Sequence, residues 1–354
     1  MHSYHLSECV EKRMKCIIWD LDNTLWEGVL LENDKVSLKS DSIELLKAAD
    51  EKGIIQSICS KNDYERTISI IEACGLKRYF IYPQISFEPK SENIKTFMDG
   101  LHIKEDDIVF IDDDIFEREE VKSVFKQMVV HSVEEIPDIL NEVQRQTVTN
   151  TQVDKNRLLL YRNEEKRLKQ QSKYNNISDF LMKSDFKVQV KIPIKSDLAR
   201  ISELIERTHQ LNTTGLYFSE VEIMKRLEES DWFIRLFHIE DRYGSYGDSA
   251  LIIAQQVERK FHVKMLITSC RLINKGVSTF LIHYAIEKAI ERGCIELIVD
   301  FRENKHNRAM RILLSMNGFE VMKSNIGGNN YEFYIDIADK KNQISMPEWI
   351  HCTD

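Results

Sequence analysis

The chain has 354 residues, 42% hydrophobic and 30% charged, which is enough apolar material for about two domains with sizeable cores. Its net charge of −9 argues against bulk nucleic-acid binding, which calls for a basic face. The 7 cysteines fit no zinc spacing, and no apolar run has the form of a signal peptide or the length of a membrane span, so the expectation is a reduced, cytoplasmic protein that binds neither nucleic acid nor membrane.

The first informative stretch is Lys15-Cys16-Ile17-Ile18-Trp19-Asp20-Leu21-Asp22-Asn23-Thr24. The short, β-prone apolar run predicts a buried strand that ends where the carboxylates begin. In an open α/β sheet, ligands sit just beyond the carboxyl ends of the strands. Two acids there repel each other, and a hard divalent cation, Mg²⁺, would relieve them. Asp20 could then attack phosphorus, and Asp22 could act as general acid and then base.

Residues 26–38 follow as a loop or flap, too short for a separate capping domain. A helix is expected over Asp41 to Lys52, then a strand ending at Cys59-Ser60. The hydroxyl of Ser60 could bond a phosphoryl oxygen, with Thr24, Lys61 and Asn62 as further phosphate contacts. A helix over Tyr64 to Cys74 precedes Lys90, whose compact charge suits a transferring phosphoryl group. Another helix, Ser91 to Leu101, leads to a strand, Ile108 to Ile111, that ends in Asp112-Asp113-Asp114 and would complete a metal site of Asp20, the backbone carbonyl of Asp22 and one of Asp112 or Asp113, with Asp113 slightly ahead. Alternating strands and helices predict a parallel sheet covered on both faces.

The polar stretch 149–184 reads as a connecting helix, which divides the chain into domains 1–148 and 185–354. The second domain shows a strand from Lys187 to Ile192 and a helix from Ser196 to Gln210. Antiparallel strands over Ser249 to Gln256 and Lys260 to Thr268 come next. A long helix from Ser278 to Arg292, a strand over Glu296 to Phe301 and a helix over Asn307 to Met316 complete the pattern.

The order of acid pair, hydroxyl, lysine and acid pair resembles the haloacid dehalogenase superfamily. Lys15 to Trp26, Cys59-Ser60-Lys61-Asn62-Asp63 and the acid pair followed by Glu117-Arg118 are similar to the FkbH-like family of glyceryl transferase/phosphatases. That resemblance implies a Mg²⁺ enzyme that removes the phosphates of 1,3-bisphosphoglycerate. It would load the glyceryl unit as a thioester on the phosphopantetheine arm of an acyl carrier protein in polyketide biosynthesis. The acyl group would pass directly to the carrier thiol or by way of Cys59, the candidate covalent acyl carrier, because positive surroundings favour a thiolate. Glu27, Phe87 and Asp114-Ile115 depart from the family pattern and bear on substrate identity. The second half resembles an N-acetyltransferase (GNAT) fold. Those enzymes hold the coenzyme A pyrophosphate on an Arg-x-x-Gly-x-Gly turn at a helix N-terminus. Here the turn is Arg271, Asn274, Lys275 and Gly276, a candidate pantetheine or coenzyme A contact. Two alternatives stay open: a plain phosphatase with a structural second domain, and a coenzyme A-dependent N-acyltransferase with a vestigial phosphatase domain.

Overall fold

A run such as Cys16–Trp19, apolar at every position, is stable as a strand only when both faces are covered. In the computed structural model it forms β1, the middle strand of a five-stranded sheet, and all four residues are buried. The structure describes residues 14–32, 36–146, 151–324, 329–338 and 346–353, with only the backbone at 151–157 and 323–324. The chain divides into two compact units, Met1–Lys169 and Gln170–Asp354.

The first unit runs β1, β2 (Trp26–Glu27), β3 (Ser37–Leu38), α1 (Ser40–Glu51), β4 (Ile55–Ser60), α2 (Tyr64–Ala73), β5 (Gln84–Ile85), α3 (Lys90–Leu101), β6 (Ile108–Ile111), α4 (Ile115–Val124), β7 (Val129–His131) and α5 (Ile136–Arg145). Helix α6 (Thr151–Gln171) follows. The sheet order is β5-β4-β1-β6-β7, with every pairing parallel. Side chains alternate across β1. Ile17 and Trp19 enter one core with Leu45, Leu46, Ile136 and Ile139, while Cys16 and Ile18 enter the opposite one with Ile94, Phe97 and Val121. The segment after β1 closes as a small antiparallel ribbon, β2 with β3.

Helix α6 is more than a solvated connector. Its Leu158, Tyr161 and Leu168 pack on the core that contains Phe97. Gly100 of α3 makes room for this, since a Cβ there would lie 2.7 Å from the Tyr82 ring and 3.0 Å from Leu168.

The second unit contains α7 (Ile177–Met182), β8 (Phe186–Lys191), α8 (Leu198–Arg207), α9 (Glu220–Leu227), β9 (Trp232–Asp241), β10 (Gly244–Val257), β11 (Lys260–Thr268), α10 (Val277–Glu291), β12 (Glu296–Arg302), α11 (Arg308–Met316), β13 (Glu320–Ser324), β14 (Asn330–Asp336) and β15 (Ile350–Thr353). Its eight-stranded mixed sheet has the order β13-β14-β12-β11-β10-β9-β8-β15. The fold class expected from sequence, an α/β parallel-sheet domain followed by an α+β domain, is the one found. Strand β9 was not expected, because its inward and outward residues are both largely buried and leave no clean alternation.

Strands β11 and β12 pair in parallel only from Lys260↔Glu296 to Val263↔Val299. Beyond that point the chain's own segment 211–214 takes up the β11 edge, with Asn212 antiparallel to Ile267. Among the described residues, no helix is long and apolar enough to cross a membrane.

Candidate active site

Register decides what the first unit brings together. Trp19 lies opposite both Ile58 and Ile111, so the next residues, Asp20, Cys59 and Asp112, reach the same end of the sheet. The Asp20 amide donates to the Ile111 carbonyl at 2.9 Å and fixes the two acidic strand ends side by side. This is the carboxyl edge, where an α/β sheet presents its ligand site.

Lys90 opens α3 and points into this edge, only 1% exposed. Its Nζ lies 2.5 Å from Asp20 Oδ1 and 3.0 Å from Asp112 Oδ2 and Glu117 Oε2, and it donates to the Cys59 carbonyl at 2.8 Å. Burial alone disfavours a charged lysine, but the attraction of these carboxylates raises its pKa well above the usual value. Glu117 reaches further, to Lys61 Nζ at 2.9 Å. Helix α3 is tied to α4 in turn, because the Ser91 amide and hydroxyl both donate to Glu120.

Asp22 faces a different set of donors. Trp26 Nε1 reaches its Oδ1 at 2.8 Å and the Leu30 amide reaches the same oxygen at 3.1 Å. Asn62 Nδ2 donates to Asp22 Oδ2 at 3.1 Å and to Ser60 Oγ at 3.0 Å, so Asp22, Asn62 and Ser60 form one chain. Thr24, fully buried, accepts from the Asp113 amide at 3.1 Å and so joins β1's acidic loop to that after β6.

The metal set differs from the expected one. Carboxylate oxygens of Asp20, Asp112 and Glu117 lie within 4.8 Å of one another, while the Asp113 carboxylate accepts from Thr24 Oγ1 at 3.4 Å. Of the pair Asp112 and Asp113, it is Asp112 whose carboxylate lies in this oxygen cluster, although Asp113 was expected slightly ahead of it. Asp22's carboxylate, held by Trp26, Leu30 and Asn62, is not part of that oxygen cluster, which leaves its backbone carbonyl as the expected metal contact. Glu117 was quoted from the sequence only as part of a family pattern. Its position four residues after Asp113, in the first turn of α4, was the signal that could have found it.

These oxygens fit a divalent cation. Asp112 Oδ2 is buried and accepts no well-directed hydrogen bond, although Lys90 is near. Burial, followed by Asp20's repulsion, raises the Asp112 pKa to about 7. Burial likewise raises Asp20, to about 6, against the pull of Lys90. Three acids around one buried ammonium leave surplus negative charge, which a hard cation with oxygen ligands would offset.

Cys59 is not placed as expected. It is fully buried in the core with Cys16, Ile18 and Phe97, and its Sγ lies 3.6 Å from the Lys90 carbonyl. Burial pushes its thiol up to about 12, which outweighs the opposing effect of Lys90. Neighbouring Ser60 is the residue that bonds to Asn62 on the site side. The covalent acyl-carrier reading of Cys59 is corrected on both counts: the thiol is inaccessible and stays protonated.

In the second unit the expected turn forms at the start of α10. Asn274 and Gly276 both take the left-handed conformation, at φ 60° and 82°. Arg271 and Lys275 meet through the Lys275 Nζ, which donates to the Arg271 carbonyl at 2.6 Å.

No family model matches the chain, and no curated protein matches it. Among solved structures, the N-terminal part of a Bacteroides fragilis protein, containing a phosphatase domain complexed with Mg, is 26% identical, with a TM-score of 0.33. The match covers 40% of this chain and 43% of that one, so this chain spans less than half of it. The ribosomal-protein-S18-alanine N-acetyltransferase from Escherichia coli is 16% identical over 42% of this chain and 94% of that one, with a TM-score of 0.33. A variant of the spermidine N-acetyltransferase from Vibrio cholerae is 15% identical over 46% of this chain and 99% of that one, with the same TM-score of 0.33. Scores at this level are likenesses only, and the chemistry rests on the site's own residues.

Proposed function

We propose that the first unit is a Mg²⁺-dependent phosphatase in which Asp20 is the nucleophile. The observation that carries this reading is the meeting of Asp20, Lys90 and Asp112 at the carboxyl edge of the sheet, with a lysine ammonium directly on the attacking carboxylate. A carboxylate oxygen of Asp20 would form a bond to phosphorus as the bond to the leaving oxygen breaks, giving an aspartyl-phosphate. Asp22 would protonate that leaving oxygen, then take a proton from the water that cleaves the Asp20 phosphate. Ser60 and Asn62 would orient a phosphoryl oxygen, and Lys90 would offset its charge. Asp20 and Asp112 would hold Mg²⁺, with Glu117 within reach, and the bound ion would supply neutralisation of phosphoryl oxygens.

The finer reading, supported by the family resemblance, is that the donor is 1,3-bisphosphoglycerate and the product a glyceryl thioester on an acyl carrier protein. With Cys59 buried, the carrier's own phosphopantetheine thiol would have to attack the acyl phosphate directly. A plain phosphatase is the second reading, since the meeting of Asp20, Lys90 and Asp112 serves phosphate removal by itself.

Intact-protein mass spectrometry and phosphate release, with Mg²⁺, enzymatically generated 1,3-bisphosphoglycerate and a phosphopantetheinylated carrier, separate these readings. A glyceryl adduct on the carrier supports the transferase. Phosphate release without an adduct supports the plain phosphatase. Asp20→Asn should abolish release in either case, and full turnover by that variant would overturn the nucleophile assignment.

A further inference from the structure

Coenzyme A is the group that the second unit's resemblance implies, and two features of that unit bear on whether it fits. The first is the edge of β11. An extended, amide-bearing arm such as pantetheine gains affinity by adding to an unpaired strand edge. Past the last β11–β12 pair that edge is already used. The Thr268 amide donates to the Leu211 carbonyl at 2.9 Å and the Thr213 amide to the Leu266 carbonyl at 3.2 Å. Thr213 Oγ1 accepts from the Leu266 amide at 3.1 Å, and Thr214 Oγ1 donates to the Lys264 carbonyl at 3.2 Å. The facing strand is occupied by the same segment, since the Arg302 amide donates to the Thr213 carbonyl at 2.8 Å. Asn307 Nδ2 locks the arrangement through the carbonyls of Asn212, at 3.2 Å, and Arg302, at 2.9 Å. Asn212, Thr213 and Asn307 are all at most 1% exposed, so an arm displacing them would strand buried polar groups.

The second feature is the turn before α10. Its backbone has the left-handed shape, but Trp349 covers it. A Cβ on Gly276 would lie 2.8 Å from the indole, and Trp349 Nε1 donates to the Lys275 carbonyl at 2.9 Å. Lys275 is 8% exposed and its ammonium is turned back onto the Arg271 carbonyl, 5.3 Å from the Tyr246 ring centre, rather than outward. A phosphate lying against Gly276 would contend with the indole for one position.

We infer that the second unit does not hold coenzyme A: the segment 211–214, hydrogen-bonded to the β11 edge, lies in the place an arm would take, and Trp349 covers the phosphate turn. The inference is independent of the chemistry proposed for the first unit.

The test is hydrogen exchange of the whole protein with and without coenzyme A or acetyl-coenzyme A at about 1 mM, a concentration that would reveal even weak, millimolar affinity. Unchanged protection across 211–214, 264–268 and 276–280 is the expected result. A ligand-dependent change in any of the three segments, in either direction, would overturn the inference. Binding detected by calorimetry together with an exchange change anywhere else in the second unit would overturn it as well.

Discussion

Asp112 sits in a buried position that its charge makes unfavourable, and this has a measurable sign. Its pKa is raised in the fold, so the native state holds a proton more readily than the unfolded chain does. Without a cation, stability should therefore rise as pH falls from about 8 toward the ordinary carboxylate range. Asp112→Asn should stabilise the metal-free protein by about 1–2 kcal/mol at neutral pH and remove most of the stabilisation by Mg²⁺. Thermal melts in chelator and in Mg²⁺ check both, and a variant less stable in chelator would contradict the account. Asp248 illustrates the opposite sign. Burial alone would raise its pKa, but His238 at 3.0 Å and Lys191 at 2.8 Å outweigh it and hold it down at about 2. Its stabilisation is present above the unfolded value and is lost as pH falls from about 4 to about 2. Asp248→Asn should cost about 1–2 kcal/mol at pH 7, allowing for solvent screening, and the loss should vanish in acid. At this scale the sequence made Asp20, Asp22 and Lys90 legible, because each stands at an abrupt change from an apolar run or loop to an element end. The direction of Cys59 was not legible. Both faces of β4 are buried, so nothing in the run says which neighbour faces the site.

Among the elements, α3 and α6 meet where helix propensity and packing give opposite answers. Gly100→Ala would gain up to about 1 kcal/mol on propensity alone. The new Cβ would fall 2.7 Å from the Tyr82 ring and 3.0 Å from Leu168, so the net expectation is a loss of about 1–3 kcal/mol. Denaturant unfolding measures it, and a stabilised variant would mean that α6 yields without cost. Gly276→Ala should also destabilise, because it adds a positive-φ penalty to a clash with Trp349. In a Trp349→Ala background the clash part should disappear and the backbone part remain, a difference that a double-mutant cycle isolates. Helix α6 was legible as a helix within the polar stretch. Its docking face was not, because Leu158, Tyr161 and Leu168 are spread among charged residues. Strands such as β15, which pairs with β8 at the sheet edge, escaped because a short run of mixed polarity carries no period.

At the scale of the whole molecule, the chemistry proposed belongs to one unit and the eight-stranded mixed sheet to the other. Chelation should abolish phosphate release, and restored Mg²⁺ should return it. Coenzyme A at about 1 mM should leave the rate unchanged, since neither a site for it nor a role in the phosphoryl step is expected. A coenzyme-dependent rate of phosphate release would contradict this expectation. Strands β1 and β6 were readable because each is a short apolar run bounded by polar loops, whereas β5, Gln84–Ile85, and β7, Val129–His131, were too short and mixed to be expected. The pairing of 211–214 with β11 was not readable, because it joins residues more than fifty positions apart through hydrogen bonds that leave no pattern of hydrophobicity.

The bond from Trp26 to Asp22 also supplies an optical signal. The indole is buried, and its ring nitrogen donates to the oxygen of a carboxylate that would gain and lose a proton in each turnover. The electric field on that chromophore would change with every such event. Of the 4 tryptophans, Trp26 is the one joined directly to the proposed acid and base, so rapid-mixing fluorescence with a Trp26→Phe control could time the proton transfer without any added label.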